Sequence, residues 1–189
     1  RLVPKLLDWY RAHARDLPWR HTEDPYAIWI SEIMLQQTQV TTVIPYWKRW
    51  MRALPTVQKL ARINPERVLK LWEGLGYYSR ARNLQAAAQK IATEHGGIFP
   101  SDPRIMRELP GIGRYTSGAI SSIAFDQPEP IVDGNVVRIL TRIFGIRENP
   151  KNKKTQEELW EPAEFISTAS LEKERSFVRL YERGEATLS

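Results

Sequence analysis

The sequence predicts an all-α protein of many short helices, and three observations carry that prediction. Apolar residues recur at helical spacing along most of the chain, and no stretch sustains the alternation of a strand. Proline and glycine fall mainly between these stretches, as in Pro55-Thr56, Asn64-Pro65-Glu66, Gly74-Leu75-Gly76 and Gly96-Gly97, where helices start or stop. No repeat or low-complexity tract interrupts the pattern.

Taken in order, Leu2, Leu6, Leu7, Trp9 and Tyr10 form an amphipathic first helix, which ends before the loop Asp16-Leu17-Pro18-Trp19-Arg20. Tyr26 to Leu35 is strongly apolar. Val40 to Leu54 is helical by the spacing of Val40, Val43, Ile44, Trp47 and Trp50, with Pro45 expected to bend or shorten it. A long helix runs from Ser79 to about His95, and Gly96-Gly97 stops it. After the extended loop Gln127 to Pro130, Val132-Asp133-Gly134-Asn135 opens a helix with Val136, Ile139, Leu140 and Ile143 expected inward. Ser167 to Ser189 is crowded with charge, as a surface helix or a frayed tail would be.

The 189 residues are enough for a full core, as one domain or two small lobes. A net charge of +6 fits a polyanionic partner. The absence of cysteine removes disulfides, thiolate nucleophiles and thiolate clusters, and the three scattered histidines argue against zinc. With no signal peptide and no membrane-spanning apolar run, the expectation is a soluble intracellular protein.

The stretch Leu109-Pro110-Gly111-Ile112-Gly113-Arg114-Tyr115-Thr116-Ser117-Gly118 organises the candidate chemistry. Pro110 ends the preceding helix. Gly111 and Gly113 permit positive φ and close backbone approach, and the amides of Gly111 to Arg114 lead into a helix N-terminus that favours an anion such as a DNA phosphate. An ordinary helix–turn–helix corner has the same local pattern.

Two carboxylates stand out. Glu32 lies inside the apolar run, where partial desolvation suits a general acid; a helix-face glutamate paired with an arginine is the plainer reading. Asp133 sits where a helix begins, as an N-cap or as a carboxylate that stabilises a developing cation. Paired carboxylates in unlike environments serve glycosidic cleavage, and breaking the N-glycosidic bond of DNA passes through a similar sugar cation. Gln36-Gln37-Thr38-Gln39 suits base edges or sugars, or is a polar helix end. Tyr77-Tyr78 in a glycine-hinged turn suits a wedge into a base stack, with Arg80 and Arg82 on phosphates, or contributes core tyrosines.

Five stretches together resemble the helix–hairpin–helix DNA glycosylases, and within them the MutY-type adenine DNA glycosylases. They are Leu17 to Arg20, Ser31 to Val40, Gly74 to Arg82, Leu109 to Gly118 and Val132 to Val136, in family order and spacing, within a match from about Leu2 to Trp160. The resemblance implies helical lobes flanking a DNA-facing cleft. Residues 1–20 would give the N-terminal helix of the second lobe, 21–125 a lobe ending in the helix–hairpin–helix, 126–166 the return helices with the catalytic aspartate, and 167–189 an atypical charged tail.

It also implies roles. Glu32 would protonate adenine and help activate water, Asp133 would stabilise the sugar cation, and Tyr115 and Asn135 would support and position the carboxylates. Gln36, Gln37, Thr38, Tyr77, Arg80, Arg82, Gly111, Ile112 and Gly113 would contact DNA. Arg15, Trp19, Arg20 and Leu35 would shape the pocket for a flipped adenine. Bifunctional relatives carry lysine where Tyr115 stands, so tyrosine implies a monofunctional enzyme that uses water.

The implied partner of this monomer is duplex DNA holding adenine opposite guanine or 8-oxoguanine. The family's [4Fe-4S] cluster needs four cysteines that have no counterpart here, so no cofactor is expected beyond an alkali cation at the hairpin. A DNA-binding module without catalysis, and a mismatch glycosylase for thymine or uracil, are the competing expectations.

Overall fold

The computed structural model describes residues 2–150 and 152–169. Among these residues all regular structure is helical. The helices are α1 (Leu2–His13), α2 (Pro25–Leu35), α3 (Val40–Ala53), α4 (Val57–Arg62), α5 (Pro65–Trp72), α6 (Ser79–Glu94), α7 (Pro103–Met106), α8 (Arg114–Phe125), α9 (Gly134–Phe144) and α10 (Lys153–Glu158), with a short 3-10 turn at Pro18–Arg20. Residues 160–169 are also helical. The charged segment singled out above lies outside the described residues from position 170 onward. No described helix is long and apolar enough to cross a membrane.

The chain divides into two compact units. One is Asp16–Gln127; the other joins Arg1–Arg15 to Pro128–Ser189.

The first unit is built around α2. Its residues Tyr26 to Ser31, with Ile33 and Met34, are buried, because α3 and α8 both pack against it. A helix covered on several sides is apolar all round, which is why its sequence is a run rather than a stripe. Its start is fixed by Asp24, whose side chain accepts from the Tyr26 N–H, and by Pro25 in the first turn. Thr56, Asn64 and Asp102 cap α4, α5 and α7 in the same way.

The buried Trp29, Trp50 and Trp72 fill the centre. The Tyr26 hydroxyl donates to Leu54 O at 2.8 Å and accepts from Trp50 Nε1 at 3.1 Å, whereas the buried Trp29 Nε1 has no hydrogen-bond partner. Burial pushes the Tyr26 phenol well above the ordinary tyrosine range. The helix α3 continues through Pro45 to Ala53, so proline does not shorten it. Packing of the fully buried Val43 and Trp50 on either side holds the helix together.

The second unit has a small core of Leu140, Leu159 and Ala163, with Val132, Val136, Val137, Ile146 and Ile166 packed against it. The expected inward face of α9 is half right. Leu140 is buried and Val136 packs on the core, but Ile139 and Ile143 are 51% and 49% exposed. The covered side of the helix runs through 136, 137 and 140, and positions 139 and 143 lie on the other flank. Leu6, Trp9 and Tyr10 of α1 are likewise exposed, and Trp9 stacks on His13 of its own helix.

Candidate active site and exposed loops

Glu32 is the half-buried residue between the buried Ser31 and Ile33 of α2. Because α8 packs on α2, the first turn of α8 brings Tyr115 alongside it, and the Tyr115 hydroxyl donates to Glu32 Oε2 at 3.2 Å. Two residues 83 positions apart are thus brought together, one on the buried helix and one on the hairpin helix. A phenol donating to one carboxylate oxygen fixes the rotamer of the group.

In the other unit, Asp133 is the N-cap of α9. Its Oδ1 accepts from the Asn135 and Val136 N–H groups at 3.0 and 2.8 Å, and its Oδ2 accepts from Asn135 Nδ2 at 3.1 Å. Arg138 Nη2 in turn donates to Asn135 Oδ1 at 3.2 Å. The capping role and a role in chemistry are therefore compatible: three N–H donors and the helix N-terminus orient one half-buried carboxylate.

The hairpin is α7, the turn Leu109 to Gly113, and α8. The two glycines serve different purposes. Gly111 has φ +78°, and a Cβ built there would lie 2.9 Å from the Asn83 Cβ of α6. Gly113 is the N-cap of α8 with φ −96°, and a Cβ there meets nothing within 4 Å. Only Gly111 uses positive φ, a correction to the sequence reading.

Ile112 corrects it further. Its side chain is buried in the core and its N–H is committed to Leu109 O at 3.1 Å, so both support the turn. The first-turn amides of α8 head a 12-residue helix with no acidic residue in that turn and no side-chain cap.

Two loops flank the same unit. After α2, Gln37 is exposed with φ 55°; before α6, Tyr77 is 63% exposed with φ 45°. Left-handed backbone in a non-glycine residue costs about 1–3 kcal/mol and persists only where the surroundings enforce it. Thr38 donates its N–H to Leu35 O and its hydroxyl to Gln36 O, and Gln36 and Thr38 are half-buried.

Arg80 overturns its expected phosphate contact. It is buried, and its guanidinium donates to carbonyl oxygens of Ile33, Met34, Gln36, Leu75 and Gly76. Burial draws its pKa below the usual arginine value. Spacing carries the signal: Arg80, Leu84, Ala87 and Ile91 follow one buried stripe of α6. Arg82, by contrast, is exposed.

Of the pocket residues, Trp19 is buried with its ring edge-on to Trp47, so the structure gives it a packing role. Leu35 is half-buried at the end of α2. Arg20 is exposed in the same unit, and Arg15 is exposed in the other.

A model of the HhH-GPD superfamily of base excision DNA repair proteins matches residues 30–165, most of the chain and all of the hairpin. The chain belongs to the HhH-GPD superfamily. It is 49% identical over 170 residues to an adenine DNA glycosylase of Rattus norvegicus, covering 85% of this chain and 33% of that protein. It is 46% identical over 163 residues to an adenine DNA glycosylase of Buchnera aphidicola, covering 86% of this chain and 47% of that protein. The chain thus spans between a third and a half of the length of these relatives.

Among solved structures, a thermostable thymine-DNA glycosylase superposes with a TM-score of 0.79 at 30% identity, over 87% of this chain and 76% of that one. The matched residues include both the hairpin and the α2 carboxylate just described. These residues do not fit an iron–sulfur cluster. The chain has no cysteine, and no group of three His, Cys, Asp or Glu able to hold a metal occurs among the described residues.

Proposed function

We propose that this chain removes adenine from duplex DNA by hydrolysing its N-glycosidic bond, acting on adenine opposite guanine or 8-oxoguanine. The observation that supports it most is the Tyr115 to Glu32 hydrogen bond, which ties a candidate general acid to the hairpin helix. The adenine DNA glycosylases to which the chain is 46–49% identical give the base.

The glycosidic bond is out of reach inside a duplex, so the adenine is flipped out, with Tyr77 and Gln37 entering the stack it leaves. Glu32 delivers a proton to the adenine ring. The C1′–N9 bond breaks, its electron pair leaves with the base, and the Asp133 carboxylate stabilises the sugar cation. Water then attacks C1′ and its proton returns to Glu32. First-turn amides of α8 hold a phosphate, and the net charge of +6 favours DNA over neutral partners. An alkali cation at the hairpin would rest on main-chain oxygens, and no step runs through it. The protein acts as a monomer within the compartment that holds DNA.

The product tests the water step. The expected product is an intact strand with an abasic site that breaks only on later alkali, and borohydride traps no protein–DNA adduct. Efficient trapping would overturn the reading, because it requires an amine nucleophile. A second reading is favoured by the thymine-DNA glycosylase superposition: excision of thymine or uracil from mismatches.

A further inference from the structure

We propose that Arg80 is the positioning residue that holds the two DNA-facing loops in a single arrangement, through a guanidinium that never touches DNA. Resting on the reading above, it explains how the wedge stays ordered.

The fork divides between the loops. Nη1 donates to Ile33 O at 2.9 Å and Met34 O at 3.2 Å, in the last turn of α2, and to Gln36 O of its C-cap at 2.6 Å, which also accepts from the Thr38 hydroxyl. Nη2 donates to Leu75 O at 3.1 Å, Gly76 O at 3.4 Å and Thr38 Oγ1 at 3.4 Å. Every partner is a neutral oxygen, so the charge serves the backbone and not an ion pair. The guanidinium also lies 5.5 Å from the centre of the Tyr77 ring.

The positions of these carbonyls matter. Gln36 O belongs to the peptide that precedes Gln37, and Gly76 O to the peptide that precedes Tyr77. Those two residues, with Asp126, are the non-glycine residues of positive φ among the described residues. Asp126 has an ordinary explanation as the left-handed C-cap of α8. For Gln37 and Tyr77 the explanation is that Arg80 pins the preceding peptide plane, at Tyr77 together with Trp72 Nε1, which donates to Gly76 O at 3.0 Å. One rigid, planar group therefore sets both exposed side chains and anchors the end of the helix that carries Glu32. A lysine has one nitrogen and cannot span both loops.

The test has an arm without DNA and an arm with it. In Arg80→Lys, amide exchange at Thr38 and Leu75, whose N–H groups bond Leu35 O and Trp72 O, should rise about tenfold, on the scale of a lost bidentate charge-assisted contact. Exchange at Ala87 and Ile91 should stay unchanged. Thr38→Val, which removes one acceptor of Nη2, should speed exchange at residue 38 in the same direction, and keeps the test available if Arg80→Lys does not fold.

In the DNA arm, 2-aminopurine at the target position reports unstacking by fluorescence. Arg80→Lys and Tyr77→Ala should each lower the rise seen with wild type, and the double variant should lose less than the sum of the two, because Tyr77 is shared between them while Gln37 still depends on Arg80. Unchanged exchange at the loops, unchanged fluorescence, or additive losses would each overturn the inference. A wild type that unstacks 2-aminopurine but releases no adenine would overturn the adenine reading and leave Arg80 standing.

Discussion

Glu32→Gln is expected to lower adenine excision by about 10²- to 10⁴-fold, the range for losing a general acid–base group, with duplex binding within about twofold of wild type. The substitution preserves shape, and the Gln carbonyl still accepts from the Tyr115 hydroxyl, which stands 3.2 Å from Glu32 Oε2. What it removes is the proton that adenine needs as it leaves and the carboxylate that water needs afterwards. Packing around position 32 stays, since its neighbours Ser31 and Ile33 are buried and unaltered. Single-turnover excision and equilibrium binding by anisotropy separate the two effects. Excision near wild type would remove Glu32 from the chemistry, and binding lost in parallel would make it a structural residue.

Gly113→Ala and Gly111→Ala are expected to fail differently. At Gly113 the backbone is extended and a Cβ meets nothing within 4 Å in the protein, so Ala costs only the difference in capping, about 1 kcal/mol or less. If the turn lies against a phosphate, that Cβ stands in the way, and binding to all duplexes should weaken about tenfold or more, because phosphate contacts position without reading sequence. Most of the salt dependence, about −0.9 in log–log slope per phosphate neutralised, should survive with the lysines and arginines intact.

At Gly111 the cost falls on the fold. A residue with φ +78° and a Cβ 2.9 Å from Asn83 should lose roughly 1–3 kcal/mol, seen as a lower Tm without DNA. Equal binding by Gly113→Ala and wild type would reduce the turn to a corner.

These contrasts show what the sequence could convey. Helices were legible where their starts carry local signals, such as Pro55-Thr56 and Asn64-Pro65, where Thr56 and Asn64 cap the helices. Glu32 and Asp133 were visible as carboxylates in unusual settings. That Tyr115 reaches Glu32 depends on how α8 packs on α2, which no local pattern states. Arg80 was misread for another reason. A turn rich in aromatics and arginines suggests phosphate contact, yet position 80 follows the buried stripe of α6, and its carbonyl partners come from a helix end 44 or more residues away. The two glycines of the hairpin look alike in sequence, and only the neighbour Asn83 tells them apart.

The most direct test of the central claim is single-turnover excision by this 189-residue chain on four duplexes that differ in one pair: adenine opposite 8-oxoguanine, adenine opposite guanine, thymine opposite guanine and uracil opposite guanine. Free adenine is expected from the first two and intact pyrimidines in the others. Release of thymine or uracil with adenine untouched, or binding to all four with no base released, would contradict it.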